Sequence, residues 1–229
     1  MGNGGSLIAL SSGPMAPRPS LYPTRSSAGS LLGQTLASRG YQSCVLLGIT
    51  PEGVEIAANA AKAMGAQFDV LVAAFIKLGT NLAPIGAMAE ASPAELDPDF
   101  QPGAALMDKL QSAIDESRAR VNQDLVLYRT RRPVKDITGR HAVIVDGQVL
   151  FPWKVLAAAK AAEGLGARMV SIATPVASQA ATDRIRARQI DFICPAVMLE
   201  ADGHPNPYGD GGGDGPERLK AIMIAHQAA

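Results

Sequence analysis

His141-Ala142-Val143-Ile144-Val145-Asp146-Gly147-Gln148-Val149-Leu150-Phe151-Pro152-Trp153-Lys154 opens with an unbroken apolar run and ends that run on a carboxylate. Apolar residues without polar alternation are the form a strand takes when both of its faces are covered. The reading is a buried strand over 141–146, a loop through Lys154, and an Ala-rich helix over 153–163. Moving outward, the same alternation repeats. Downstream come a strand over 168–174, a helix over 178–189 and a strand over 190–194. Upstream, Ser26-Ser27 caps a helix that runs to Arg39 and stops at Gly40, and 43–49 is a second fully apolar strand. Thr50-Pro51-Glu52-Gly53 is a turn, followed by a helix over 54–64 that ends at Gly65, and 68–75 is a strand. Residues 76–100 form a long Pro- and Gly-containing connection with a short hairpin around 85–90, a length usually associated with function. Leu106, Leu110, Ile114, Val121 and Leu125 recur at helical spacing and predict one amphipathic helix over 103–127. Strands alternating with helices predict an α/β fold: a parallel sheet of about five strands with helices on both faces.

The 229 residues carry 21 Lys+Arg against 21 Asp+Glu, which argues against a general nucleic-acid binder because such proteins need a basic surplus. Apolar residues make up 47%, enough for a substantial core, and 39 alanines against ten aromatics point to closely packed helices. A neutral chain has little charge repulsion to keep it from self-association, so a homo-oligomer or a protein partner is expected. No apolar run approaches the ~20 residues needed to cross a bilayer, so no membrane span is expected. Two cysteines, Cys44 and Cys194, both within predicted strands, predict reduced thiols and a cytoplasmic protein. The start has no basic n-region or apolar h-region and does not read as a secretory signal. Met1-Gly2-Asn3-Gly4-Gly5-Ser6 fits the loose myristoylation pattern, but a Gly-rich flexible start accounts for it as well. Residues 1–24 are expected to be a flexible arm, 25–208 the α/β domain, and 209–229 a Gly-rich hinge with a short C-terminal helix. The Gly-Asp repeat in 209–215 matches no calcium-ligand spacing. His141, His204 and His226 are scattered, so no metal site is predicted.

In an open parallel sheet, ligands bind beyond the carboxyl ends of the strands, where loops lead into helix N-termini. That places the candidate site at Thr50–Gly53 and Gly147–Lys154. Val143-Ile144-Val145-Asp146, entering a loop and then an Ala-rich helix, resembles the motif strand of type I phosphoribosyltransferases, and in particular a bacterial phosphoribosyltransferase-like group. Other stretches resemble that group in order: Ser27-Ala28-Gly29, Gly53-Val54 with Ala57, Phe68-Asp69-Val70-Leu71, and Lys77-Leu78-Gly79. They are followed by Ile85-Gly86-Ala87-Met88-Ala89-Glu90, Tyr128-Arg129 with Arg132-Pro133, and Gly139-Arg140. The resemblance spans about 25 to 208. It implies a phosphoribosyltransferase-like fold with a small hood from the terminal segments. It also implies binding of phosphoribosyl pyrophosphate with Mg²⁺, an acidic pair on the ribose hydroxyls, and a phosphate loop reading Ala-Thr-Gly-x-Thr.

The departures fall on the chemistry. Asp146 stands at the first acid, but Gly147 replaces the second. Leu150-Phe151-Pro152-Trp153-Lys154 replaces the phosphate loop without a gap: Pro152 has no backbone N–H, and Phe151 and Trp153 fill space that small residues leave for phosphate oxygens. The family's pyrophosphate turn, Pro-Arg-Gly-Gly, is here Thr50-Pro51-Glu52-Gly53: an arginine is lost and a carboxylate gained. Ile76 precedes Lys77 where Arg-Lys is usual. Lys154 offers a point charge to a phosphate. Asp146 is either a residual ribose or Mg²⁺ ligand or a strand-end cap. Glu52 is a site residue or the cap of the following helix. Trp153 stacks on a ligand or partner, or enters the core. Arg129, Arg131, Arg132, Lys135 and Arg140 are a solvated connection or an anion contact.

The substrate-binding candidates are thus Thr50, Glu52, Gly53, Lys77, Gly147, Gln148, Phe151, Trp153 and Lys154, with Asp146 as the residual catalytic position. The expected function is a phosphoribosyltransferase-like protein without ordinary phosphoribosyl transfer, taking a phosphorylated nucleotide or sugar as a sensing, regulatory or assembly partner. The alternative is an active transferase with an altered phosphate loop, acting on an unspecified base or amine.

Overall fold

The computed structural model describes residues 20–49, 51–129, 134–199, 206–210 and 216–227. The element order is α1 (Arg25–Ser38), β1 (Cys44–Ile49), α2 (Glu52–Met64), β2 (Gln67–Leu71), β3 (Ala73–Ile76), β4 (Gly86–Ala89) and β5 (Glu95–Leu96). A 3₁₀ turn (Ala104–Leu106) then leads into α3 (Met107–Arg129), followed by β6 (His141–Val145), α4 (Trp153–Gly164) and β7 (Met169–Ala173). The chain continues through β8 (Val176–Ser178), α5 (Gln179–Ala187), β9 (Asp191–Ile193), β10 (Ala196–Met198) and α6 (Pro216–Gln227).

The central sheet is five-stranded and wholly parallel, in the order β2-β1-β6-β7-β9. Its side chains alternate between two cores. Val45, Leu47, Ala142 and Ile144 face α4, whereas Leu46, Val143 and Val145 face α1 and α2. Both faces are covered, which is why these strands read as continuous apolar runs.

The alanines account for the tightness of the helical layers. α1 lies so close on α2 that a Cβ at Gly33 would meet the Ala60 carbonyl oxygen at 2.4 Å. α4 packs on β6 and β7 on one side and on β3 and β4 on the other. Ala157, Ala158, Ala159, Ala161 and Ala162 are all buried, as expected of a helix packed between two sheets, with only Lys160, Glu163 and Gly164 reaching solvent.

The expected single strand over 68–75 is two strands. At Val72 the chain leaves the parallel sheet, and β3 pairs antiparallel with β4, which pairs with β5. Glu90 holds the switch point, accepting the Val72 N–H at 2.9 Å through Oε1 while its own N–H donates to the Val72 carbonyl at 3.0 Å. The α1 cap is Thr24, not Ser26-Ser27: Thr24 and Ser27 form a reciprocal capping box. Within the basic connection, Arg129 is buried in an ion pair with Glu90 and is not solvated. Arg131 and Arg132 lie outside the described residues.

The terminal segments meet near the carboxyl end of the sheet. Tyr22 bridges to Tyr208, Arg25 pairs with Asp210 at 3.2 Å, and α6 sends Leu219 and Met223 into the core beside α2. Most of the expected 1–24 arm, and 211–215 of the expected hinge, lie outside the described residues. Among the described residues, no helix is long and apolar enough to cross a membrane.

Candidate functional site

The register of β1 against β6, with Gly48 opposite Val145, sets residues 51–53 beside Asp146 at the carboxyl end of the sheet. Gly53 makes that approach possible: a Cβ there would lie 2.2 Å from the Val145 carbonyl oxygen and 2.9 Å from the Asp146 Cα. Gly147 is confined in the same way, because its Cβ would fall 2.8 Å from Cβ of Glu52. The position where the second acid is expected is thus packed against Glu52.

Lys154 lies in the first turn of α4, a helix end that disfavours cations. Two carboxylates compensate: Nζ is 3.4 Å from Asp146 Oδ2 and 3.7 Å from Glu52 Oε2. The ammonium also sits 5.1 Å from the centroid of the Phe75 ring. Burial alone would lower the Lys154 pKa, but the carboxylates of Asp146 and Glu52 outweigh it, so the pKa is raised and the side chain stays charged. For Asp146, burial raises the carboxyl pKa, against the opposing pull of Lys154. Its Oδ1 accepts the Gly147 N–H at 2.8 Å. Glu52 does not cap α2. Pro51 occupies the cap position without a side-chain hydrogen bond, and the Glu52 carboxylate turns to Lys154.

The loop over 147–152 is stitched inward. The Val149 N–H donates to the Val176 carbonyl at 2.9 Å, the Ser178 N–H donates to the Val149 carbonyl at 3.0 Å, and Ser178 Oγ donates to the Leu150 carbonyl at 2.9 Å. Val149 therefore behaves as an added rung on β8. The Tyr208 hydroxyl, kept protonated by burial, donates to the Gly147 carbonyl from the terminal segment. Phe151 packs edge-on against Phe75, with centroids 6.4 Å apart. Gln148 is half-buried, and its amide Nε2 has no hydrogen-bond partner among the described residues.

A cleft of about 420 Å³ opens beside this cluster, walled by Glu52, Phe75, Lys77 and Lys154 on one side and by α3 residues on the other. It adjoins a second cavity of about 730 Å³ that shares Lys77, Glu116 and Arg120 with it. The structure thus gathers Asp146, Glu52, Gly53, Gly147, Phe151 and Lys154 around one point and sets Lys77 at the cleft mouth. Trp153 goes elsewhere. It is 3% exposed, packs in the core and carries Arg184 over its ring, and so offers no stacking surface to a ligand. Thr50 lies outside the described residues.

The wall that sequence reasoning missed is α3. Glu116, Arg120 and Asp124 are spaced four apart, which puts them on one helix face and into the cleft. That charge spacing was the available signal. Burial raises the Asp124 carboxyl pKa, with Arg120 opposing. Among the described residues, no group of three or more His, Cys, Asp or Glu is placed to hold a metal ion. The acidic pair Asp146 and Glu52 at the sheet end already shares the Lys154 ammonium, so these residues do not fit the Mg²⁺ that phosphoribosyl pyrophosphate brings.

A parallel sheet in this order is a doubly wound α/β sheet, and the site lies where β1 and β6 end, at the carboxyl edge where such sheets bind ligands. Known proteins similar in sequence are named for phosphoribosyl transfer. The chain is 30% identical over 181 residues to a Mycobacterium tuberculosis protein named "Putative phosphoribosyl transferase", found in strains H37Rv and CDC 1551. The match covers 77% of this chain and 40% of the relative, so the chain spans well under half the length of the curated relatives it matches. The crystal structure of TT1426 from Thermus thermophilus superposes with a TM-score of 0.72 at 28% identity, covering 89% of this chain and 98% of TT1426. The AQ2163 protein of Aquifex aeolicus shares the fold, with a TM-score of 0.51 at 14% identity over 86% of each chain. No family model matches the chain. The chain is thus similar, over 77% of its length, to proteins named as phosphoribosyl transferases.

Proposed function

We propose that this protein keeps the family's scaffold without its ordinary reaction and acts as a nucleotide-sensing or regulatory partner, holding a small phosphorylated nucleotide or sugar in the cleft. The observation that supports this reading is the inward-turned loop over 147–152. Backbone N–H groups at a helix N-terminus are what such a loop offers a phosphate. Here the N–H groups of Gly147 and Val149 are spent inside the protein, and Pro152 has none. Lys77 and Arg120, which face the cleft from opposite walls, supply cationic groups for a phosphate held away from the loop.

Calorimetry tests this directly. Phosphoribosyl pyrophosphate with Mg²⁺ is titrated into the protein, and AMP is titrated separately. The expected result is AMP binding that exceeds that of the pyrophosphate compound. Micromolar, Mg²⁺-dependent binding of phosphoribosyl pyrophosphate would overturn the reading in favour of an active transferase with an altered loop. Binding of neither compound removes the sensing role and leaves assembly with a protein partner or a second copy of the chain. With Trp153 in the core, such assembly would use other surfaces.

A further inference from the structure

The Lys154 ammonium occupies a place that carboxylates at this end of the sheet would otherwise offer to a divalent cation. It is 9% exposed, lies 3.4 Å from Asp146 and 3.7 Å from Glu52, and comes from the first turn of a helix where a cation is intrinsically disfavoured. A surface lysine in that position would swing out to water. This one is held in by two acids, one of them buried, and by the face of Phe75.

We propose that Lys154 is a built-in replacement for the metal ion, so that any ligand of this cleft binds without Mg²⁺. Three substitutions then read as one change. The acid at 147 is lost because Glu52 fills its space. The turn before α2 gains a carboxylate at Glu52 because a cation now arrives from α4. The lysine at 154 supplies that cation. An ammonium provides one positive charge and directional N–H donors, whereas a divalent ion provides two charges and coordinates oxygens from a ligand. A ligand that depends on metal bridging of a pyrophosphate is therefore excluded, and one with a single phosphate or with sugar hydroxyls is accepted.

This inference deepens the functional reading and shares its site, but it can fail separately, because its test uses no phosphoribosyl compound. Mn²⁺ is added to ¹⁵N-labelled protein, and paramagnetic broadening of the Gly53 and Gly147 amides is followed. The wild type is expected to show none at millimolar Mn²⁺. Lys154→Met is expected to bind Mn²⁺ at least tenfold more tightly and to broaden both amides, Lys154→Arg to remain like the wild type, and Lys154→Met with Glu52→Gln to lose the effect. Broadening of Gly53 and Gly147 in the wild type overturns the proposal, as does a folded Lys154→Met variant without it. A Lys154→Met chain too unstable to fold alone should be refolded by millimolar Mn²⁺, and failure to refold it counts equally against the proposal.

Discussion

Gly147→Ala adds a single carbon 2.8 Å from Cβ of Glu52 and 3.2 Å from its carbonyl carbon and oxygen, distances at which something must move. Neither partner yields easily, because Gly147 follows the end of β6 and Glu52 begins α2, whose next residue is pressed on the Val145 carbonyl. Overpacking of this kind costs about 1–3 kcal/mol. Gly147→Asp restores the family's acidic pair and adds charge to the same clash. The new carboxylate meets Asp146 and Glu52 as like charges and Lys154 as an opposite one, leaving one net repulsive pair. At about 5 Å and an effective dielectric of about 20, that pair costs roughly 3 kcal/mol. Urea unfolding followed by far-ultraviolet circular dichroism at pH 7 reads both effects. Gly147→Ala should lower the midpoint, Gly147→Asp should lower it further, and Glu52→Gly should recover part of the Gly147→Ala loss in a double-mutant cycle. Gly147→Asp no less stable than Gly147→Ala, or no relief from Glu52→Gly, would refute the reasoning.

Trp153→Ala should cost about 3–5 kcal/mol in the same assay while leaving cleft affinity in the folded fraction unchanged. A stable variant that loses ligand binding would return Trp153 to the site. Cys44 and Cys194 should react slowly with a disulfide reagent at pH 8 in native protein and fully in urea, because burial pushes both thiols up to about 11. The unfolded chain ionises first, so these thiols favour the fold below their ordinary value of 9.0, and that contribution is lost as pH rises towards 11. Thiol labelling and a stability profile over that range check both statements.

The sheet was legible because each buried strand is written as an apolar run bounded by glycine or a polar turn, as at Cys44–Ile49. The break at Val72 was not, because Leu71-Val72-Ala73 is equally apolar whichever sheet it joins. What moves the chain is a pair of hydrogen bonds to Glu90, eighteen residues away. The short strands β8 and β10 carry three residues each, too few for a period to show. Within the site, Asp146, Glu52 and Lys154 each stood out singly as departures from a pattern. Their convergence depends on the β1–β6 register and on the absence of a Cβ at Gly53 and Gly147, and no local spacing records either. The Thr24 cap was readable, since Thr24 and Ser27 stand three apart, but the adjacent serines offered an equally plausible start.

The two walls of the cleft differ in how firmly they are held. α4, which carries Lys154, is enclosed between two sheets, so its amide hydrogens can exchange with solvent only when much of the molecule opens. α3 turns one long face to water and meets the body mainly through Leu110, Ala113, Ser117, Val121 and Arg129. An occupant that does not match the cleft therefore cannot recruit the α4 wall by local fraying. Accommodation has to come from the α3 side, and ligands of different width should be distinguished there, by Glu116, Arg120 and Asp124, against a fixed template of Lys154 and Phe75.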